Sequence, residues 1–127
     1  MNEDFTACYT AIDGADSVWL KIDTSQRKIA GLIKFNYGNK DVYEGEIEGE
    51  FKGDTLKGYF DFKRNGVDKW YRNPISLLRE GQKLTMGGGK VILVWGSGHF
   101  DEKVPIDYNR AKFVFSLDGC KINTESK

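Results

Sequence analysis

Positions of like character recur every second residue through the middle of the chain. From Lys28 to Tyr37 the odd positions Ile29, Gly31, Ile33, Phe35 and Tyr37 share one face. From Tyr43 to Phe51 the odd positions are Tyr43, Gly45, Ile47, Gly49 and Phe51, and the even ones are Glu44, Glu46, Glu48 and Glu50. From Thr55 to Lys63 the shared face carries Leu56, Gly58, Phe60 and Phe62. A period of two over three successive runs predicts adjacent antiparallel strands with one apolar face and one wet face.

Turn chemistry predicts how these runs pair. Gly53-Asp54 suits a two-residue hairpin loop with glycine first. It sets Phe51 opposite Leu56, Gly49 opposite Gly58, Ile47 opposite Phe60 and Gly45 opposite Phe62. On the wet face Glu50 then meets Lys57 and Glu44 meets Lys63, while Glu46 opposite Asp61 is the one unfavourable pair. A shift by one residue would bury the glutamates, so this register is well specified. A loop over Gly38 to Val42 sets Tyr37 opposite Tyr43, Phe35 opposite Gly45 and Gly31 opposite Gly49. Gly31, Gly49 and Gly58 would then lie abreast, as sharp coiling of a closing sheet, or a large group in the gap, would require.

The flanks are less regular. Phe5 to Ile12 and Ser17 to Asp23 alternate as half-buried strands around an Asp13-Gly14 turn. In the second, Val18, Leu20 and Ile22 share a face and Trp19 points away. After an Arg64-Asn65-Gly66 turn, Lys69 to Arg79 reads as a strand with Pro74 marking an edge or bulge. Gly81 and Gly87-Gly88-Gly89 bracket a return strand over Lys83 to Met86. Val91 to Trp95 is an apolar run fit for a buried strand, with a short helix as the alternative that periodicity leaves open; Gly96-Ser97-Gly98 reads as a loop, and Pro105 to Ala111 as a helical turn. Lys112 to Leu117 alternates again, and the ends, 1–4 and 123–127, are expected to be frayed. The pattern predicts a single all-β domain: a small antiparallel up-and-down barrel or strongly coiled meander of eight to ten strands, lipocalin-like in broad architecture.

Composition fits this fold and removes some functions. The 127 residues suffice for one core. Lys+Arg and Asp+Glu both number 19, which argues against an electrostatic nucleic-acid binder or a polybasic membrane-surface protein. No apolar run is long enough for a transmembrane helix, and the acidic, polar start does not read as a signal peptide.

Candidate chemistry is sparse. Cys8 and Cys120 stand apart, in neither a redox nor a zinc pattern, and are either buried thiols or one disulfide. His99 is the single histidine, and a lone histidine is far more often structural than catalytic. Gly87-Gly88-Gly89-Lys90 lacks the spacing and the Ser/Thr of a phosphate loop. The Glu44 to Glu50 series cannot chelate one ion, because alternate strand residues are about 7 Å apart. No metal or other cofactor is expected. The recognition candidates are Trp19, Trp70, Tyr71 and Trp95, with Phe35, Phe60 and Phe62 as the lining of an interior pocket.

Cys8-Tyr9, Ala15-Asp16-Ser17-Val18 with Leu20 and Ile22, Gly31-Leu32, Lys40-Asp41, Gly45, Gly49, Gly53-Asp54-Thr55-Leu56 and Tyr59-Phe60-Asp61-Phe62 follow in a familiar order. The first half of the chain, with Cys120, resembles uncharacterised envelope lipoproteins of Bacteroidetes-type bacteria, whose mature parts are small β domains. That family carries a Ser-Glu-Gly turn where this chain has Arg64-Asn65-Gly66. The resemblance implies a removed upstream leader, a lipid on a cysteine outside this sequence, and a location at the cell envelope. In that oxidising setting Cys8 and Cys120 would form a disulfide. The resemblance carries no activity with it. The expected function is a non-enzymatic binding or interaction domain that holds an apolar or aromatic small molecule or an envelope partner; the alternative is a hydrolase using paired carboxylates.

Overall fold

Alternating side chains and tight glycine turns fold the chain into consecutive antiparallel hairpins. The structure, a computed structural model, describes residues 6–23 and 28–118. Its strands are β1 (Thr6–Asp13), β2 (Asp16–Asp23), β3 (Lys28–Tyr37), β4 (Asp41–Lys52), β5 (Thr55–Arg64), β6 (Tyr71–Glu80), β7 (Lys83–Met86), β8 (Val91–Val94), β9 (Ser97–Phe100) and β10 (Val114–Leu117). Eight of them close an up-and-down antiparallel barrel in the order β1-β10-β7-β6-β5-β4-β3-β2, and β8 and β9 form a separate two-stranded hairpin. Closure removes the exposed edges that an open meander would present.

The Gly53-Asp54 hairpin forms as its turn chemistry predicts: only Gly53 has a positive φ, and Phe51 lies opposite Leu56, Gly49 opposite Gly58 and Gly45 opposite Phe62. The preceding hairpin differs. The Lys40 amide donates to the Tyr37 carbonyl across Gly38 and Asn39, both with positive φ, and pairing resumes at Tyr37 opposite Asp41. The turn is therefore tighter than a loop over Gly38 to Val42. The register slides by two: Phe35 lies opposite Tyr43, Ile33 opposite Gly45, Gly31 opposite Ile47 and Ile29 opposite Gly49. A slip of two preserves the faces, so the glutamates stay outside, but Gly31 is not abreast of Gly49 and Gly58.

The corrected register shows what the inward glycines do. The rows across the sheet read Ile29–Gly49–Gly58–Ile75, Ile22–Gly31–Ile47–Phe60 and Ile33–Gly45–Phe62–Tyr71. Each glycine or glycine pair sits between large side chains that fill the space a missing side chain leaves, and its small size lets neighbouring strands coil together.

Three further expectations are corrected. Val91 to Val94 is a strand but not a buried one: its four side chains are 45, 40, 74 and 43% exposed, because the strand lies outside the barrel. Ser97 and Gly98 belong to β9 rather than to a loop. Pro105 to Ala111 forms no helical turn; it is held by an antiparallel bridge between Asp107 and Gly88. Pro74 lies in the barrel wall at a point β7 does not reach, since β7 pairs only with Leu77–Glu80, so its missing N–H costs no ladder bond there.

The interior is packed. Val18, Leu20, Ile22, Ile33, Phe35, Ile47, Leu56, Phe60, Ile75, Leu77, Leu84 and Phe115 belong to one cluster of buried side chains. Lys112 ties down one end of the barrel, with its ammonium 2.7 Å from Asp13 and 3.0 Å from Asp16. These two carboxylates raise its pKa above the ordinary lysine value.

Candidate functional site

The recognition candidates divide between inside and outside. Phe35, Phe60 and Phe62 point inward and pack ring on ring, with centroids 5.2 Å apart for Phe35–Phe60 and 5.1 Å for Phe60–Phe62. They are 1, 5 and 4% exposed, closed off from solvent by their neighbours. An eight-stranded barrel is just wide enough for its own side chains to fill, and these rings do so.

Trp19, Trp70 and Trp95, the three tryptophans of the chain, lie outside. Trp19 follows strand alternation on β2, opposite Thr10 and Lys34. Trp70 immediately precedes β6 and is 55% exposed, with the Lys63 ammonium 5.0 Å from its ring. Trp95 and Gly96 form the two-residue turn between β8 and β9, both with positive φ. A bulky aromatic in that backbone region is strained by about 1–2 kcal/mol. The turn leaves the Trp95 side chain fully exposed. Tyr71 sits at the rim, one face stacked on Phe62 with centroids 5.6 Å apart.

The β8–β9 hairpin is what brings Trp95 beside Trp70 and Tyr71. Gly98 on β9 packs against β6 so closely that a Cβ would come within 2.7 Å of Asn73 Oδ1 and 3.1 Å of the Arg72 carbonyl. A side chain here would displace Asn73 and crowd the β6 backbone, so glycine permits this approach. It fixes the hairpin beside the wall, and a cavity of about 340 Å³ opens among Glu46, Asp61, Trp70, Tyr71, Arg72, Trp95, Gly96 and Ser97. An adjoining cavity of about 350 Å³ shares Trp70 and Glu46 and is lined further by Trp19, Leu32, Val42 and Glu44. Together they make a trough along the outside of the barrel with all three tryptophans on it.

The floor of the trough is charged and ordered. Arg72 donates two hydrogen bonds to Asp61, at 2.7 and 3.0 Å, from the position directly opposite on the neighbouring strand. This bond holds the Asp61 carboxyl below the usual carboxylate range. The pairing answers the Glu46–Asp61 conflict expected from the sequence: Asp61 is neutralised from β6. Glu46 faces Leu32 on one side and Asp61 on the other, with no ion pair among the described residues. Arg72, Asp61 and Glu46 are site residues that sequence reasoning missed. Asp61 and Glu46 were visible as a clash, but the residue that resolves it lies beyond a six-residue loop whose length hides the register.

On the other side of β9 lies a cavity of about 510 Å³, lined by Lys57, Tyr59, Pro74, Ile75, His99, Asp101 and Glu102 among others. His99 Nδ1 is 3.0 Å from the Tyr59 hydroxyl, and Asp101 Oδ1 accepts from the Lys103 amide. These polar groups are engaged within the protein. The described residues contain no cluster of metal-ligating side chains. No helix among them is long and apolar enough to cross a membrane.

Comparison with family models, with curated proteins and with solved structures returned no match. The geometry of the trough is therefore the basis for a functional reading.

Proposed function

We propose that the chain is a non-enzymatic binding domain that takes a ligand with apolar or aromatic faces in the outer trough. The observation that carries this reading is that Trp19, Trp70 and Trp95 line adjoining cavities while the barrel interior is filled. A trough walled by flat apolar rings, with a few fixed polar groups, orients a ligand by stacking and specifies it by hydrogen bonds. Strain at Trp95 supports the reading, since relaxed turns of this type carry Asn or Asp at that position. The hydrolase alternative lacks such support in the trough. Arg72 holds Asp61 ionised, whereas a general acid needs a carboxyl shifted the other way.

The neutral fluorophore N-phenyl-1-naphthylamine tests the site. We expect saturable binding to the intact protein. Trp95→Asn should weaken it at least tenfold while stability rises by about 1 kcal/mol, because Asn tolerates the left-handed turn. Phe60→Leu should leave the affinity within twofold. Loss of binding in Phe60→Leu with wild-type affinity in Trp95→Asn would move the site into the barrel and end this reading.

The setting we infer is the cell envelope, with a Cys8–Cys120 disulfide. Cys120 lies outside the described residues. Its support is that Cys8 is buried on β1 and accepts a backbone hydrogen bond from Asp118 at 2.7 Å. The chain is thus led to within two residues of Cys120 beside Cys8. The unreduced protein, once denatured, should take up no alkylating reagent, and two labels after reduction. Two labels before reduction would remove the disulfide.

A further inference from the structure

One strand of the structure has a side with no partner. β8 pairs with β9 alone, and no strand of the described residues lies against its other edge. The four residues Val91-Ile92-Leu93-Val94 carry no charge, no proline and no bulge, the devices that normally protect such an edge. Their side chains are 40–74% exposed, on both faces of the strand.

Pairing within the hairpin settles which backbone groups point outward. The two-residue turn makes Val94 and Ser97 a hydrogen-bonded pair. Alternation assigns Ile92 with His99 to the same type, and Lys90 with Asp101 continues it, since the Asp101 amide donates to the Lys90 carbonyl at 2.7 Å. Val91 and Leu93 therefore turn their N–H and C=O groups away from β9.

We propose that β8 is a self-association edge that pairs antiparallel with β8 of a second copy, about a twofold axis at Ile92. In this register Val91 meets Leu93 of the other copy, and Leu93 meets its Val91. All the outward N–H and C=O groups of those residues are then satisfied by four interchain hydrogen bonds. An alternative axis at Leu93 would set Val91 against Trp95, whose left-handed backbone cannot continue a ladder. The absence of charge suits a self-complementary contact, because a charge at position 92 would face its own copy across the axis and a charge at 91 or 93 would face an apolar residue.

A lipid surface is the competing occupant for an apolar hairpin ending in tryptophan. Hydrocarbon would leave the Val91 and Leu93 backbone groups unpaired, which a second strand avoids. A four-residue edge covers much less than the roughly 800 Å² per partner of a stable complex. The association is therefore weak and dynamic, with a dissociation constant on the order of 100 μM.

Sedimentation equilibrium from 10 μM to 1 mM tests the proposal. The wild-type mass should rise from monomer toward dimer over this range. Leu93→Pro removes an outward N–H while sparing every β8–β9 hydrogen bond, and should stay monomeric with unchanged N-phenyl-1-naphthylamine binding. Leu93→Ala, which keeps the N–H, should still associate. Ile92→Lys and Ile92→Glu should each be monomeric alone and associate when mixed, because the axis places residue 92 against itself. A wild-type monomer at 1 mM, undiminished association of Leu93→Pro, or no association in the Lys/Glu mixture would overturn the proposal. So would a wild-type monomer sedimenting with phosphatidylcholine vesicles, which would assign the edge to lipid. Failure of these tests leaves the trough untouched, since the fluorophore assay reads it separately.

Discussion

Replacing Gly45 by alanine should cost at least about 3 kcal/mol, a large share of the stability of a domain of this size. A Cβ at Gly45 would lie 1.8 Å from the Asp61 carbonyl oxygen and 2.8 Å from the Phe62 Cα. Both obstacles are backbone of the neighbouring strand, so relief requires β4 and β5 to separate, against the hydrogen bonds that close the barrel. Gly49 should respond less, because its nearest obstacle, the Lys57 carbonyl oxygen, is 2.5 Å away. Gly14→Ala is the control: nothing lies near its Cβ, and only its positive φ of 62° is strained, for about 1 kcal/mol. Urea unfolding midpoints at equal slope should fall in the order Gly14, Gly49, Gly45 from smallest loss to largest. A Gly45→Ala protein as stable as Gly14→Ala would mean the strands do not approach as described.

Phe35→Ala should lose about 3–5 kcal/mol, the range for a large ring removed from a packed core. Phe35 is 1% exposed and meets Phe60 at 5.2 Å, Tyr37 at 5.9 Å and Phe113 at 6.1 Å between ring centroids. It thus joins β3, β5 and the segment leading into β10, elements distant in sequence. Its removal leaves a void that these rings can only partly close, because each is held by its own strand. Thermal unfolding should drop by roughly 10–20 °C. Benzene added to the variant should restore part of that loss by filling an apolar cavity, as engineered cavities of this type permit. A loss below 1 kcal/mol would show that the interior is not packed around this ring.

The two substitutions probe opposite sides of one design, large side chains set against glycines. Part of that design is legible in the order of residue types alone. The alternation in β3, β4 and β5 declares the inward and outward faces, and Gly53-Asp54 fixes one hairpin register because a two-residue turn leaves no freedom. The β3–β4 register was legible only to within two residues. Its turn has two residues with positive φ, one of them Asn39, and a slip of two leaves every residue on its own face, so polarity alone cannot detect it.

The trough was less legible. Trp19, Trp70, Tyr71 and Trp95 stand out by type, but they are spread over 77 positions, from 19 to 95, and nothing local says they converge. Trp95 joins the others through Gly98, which lets β9 lie against Asn73 and Pro74. Arg72 was missed for the same reason: its partner Asp61 is opposite only after the β5–β6 loop has set the register. Val91 to Val94 misled in the other direction, since an uncharged apolar run describes a buried strand and an unguarded edge equally well.

The sequence by itself determined that this chain builds successive antiparallel strands with an oily side and a charged side, because period and turn chemistry act over a few residues. Only the tertiary structure decided that the sheet closes, that its rings fill the interior, and that the tryptophans gather along one trough outside. Those outcomes rest on contacts between strands far apart along the chain, whose geometry no short stretch of residues encodes.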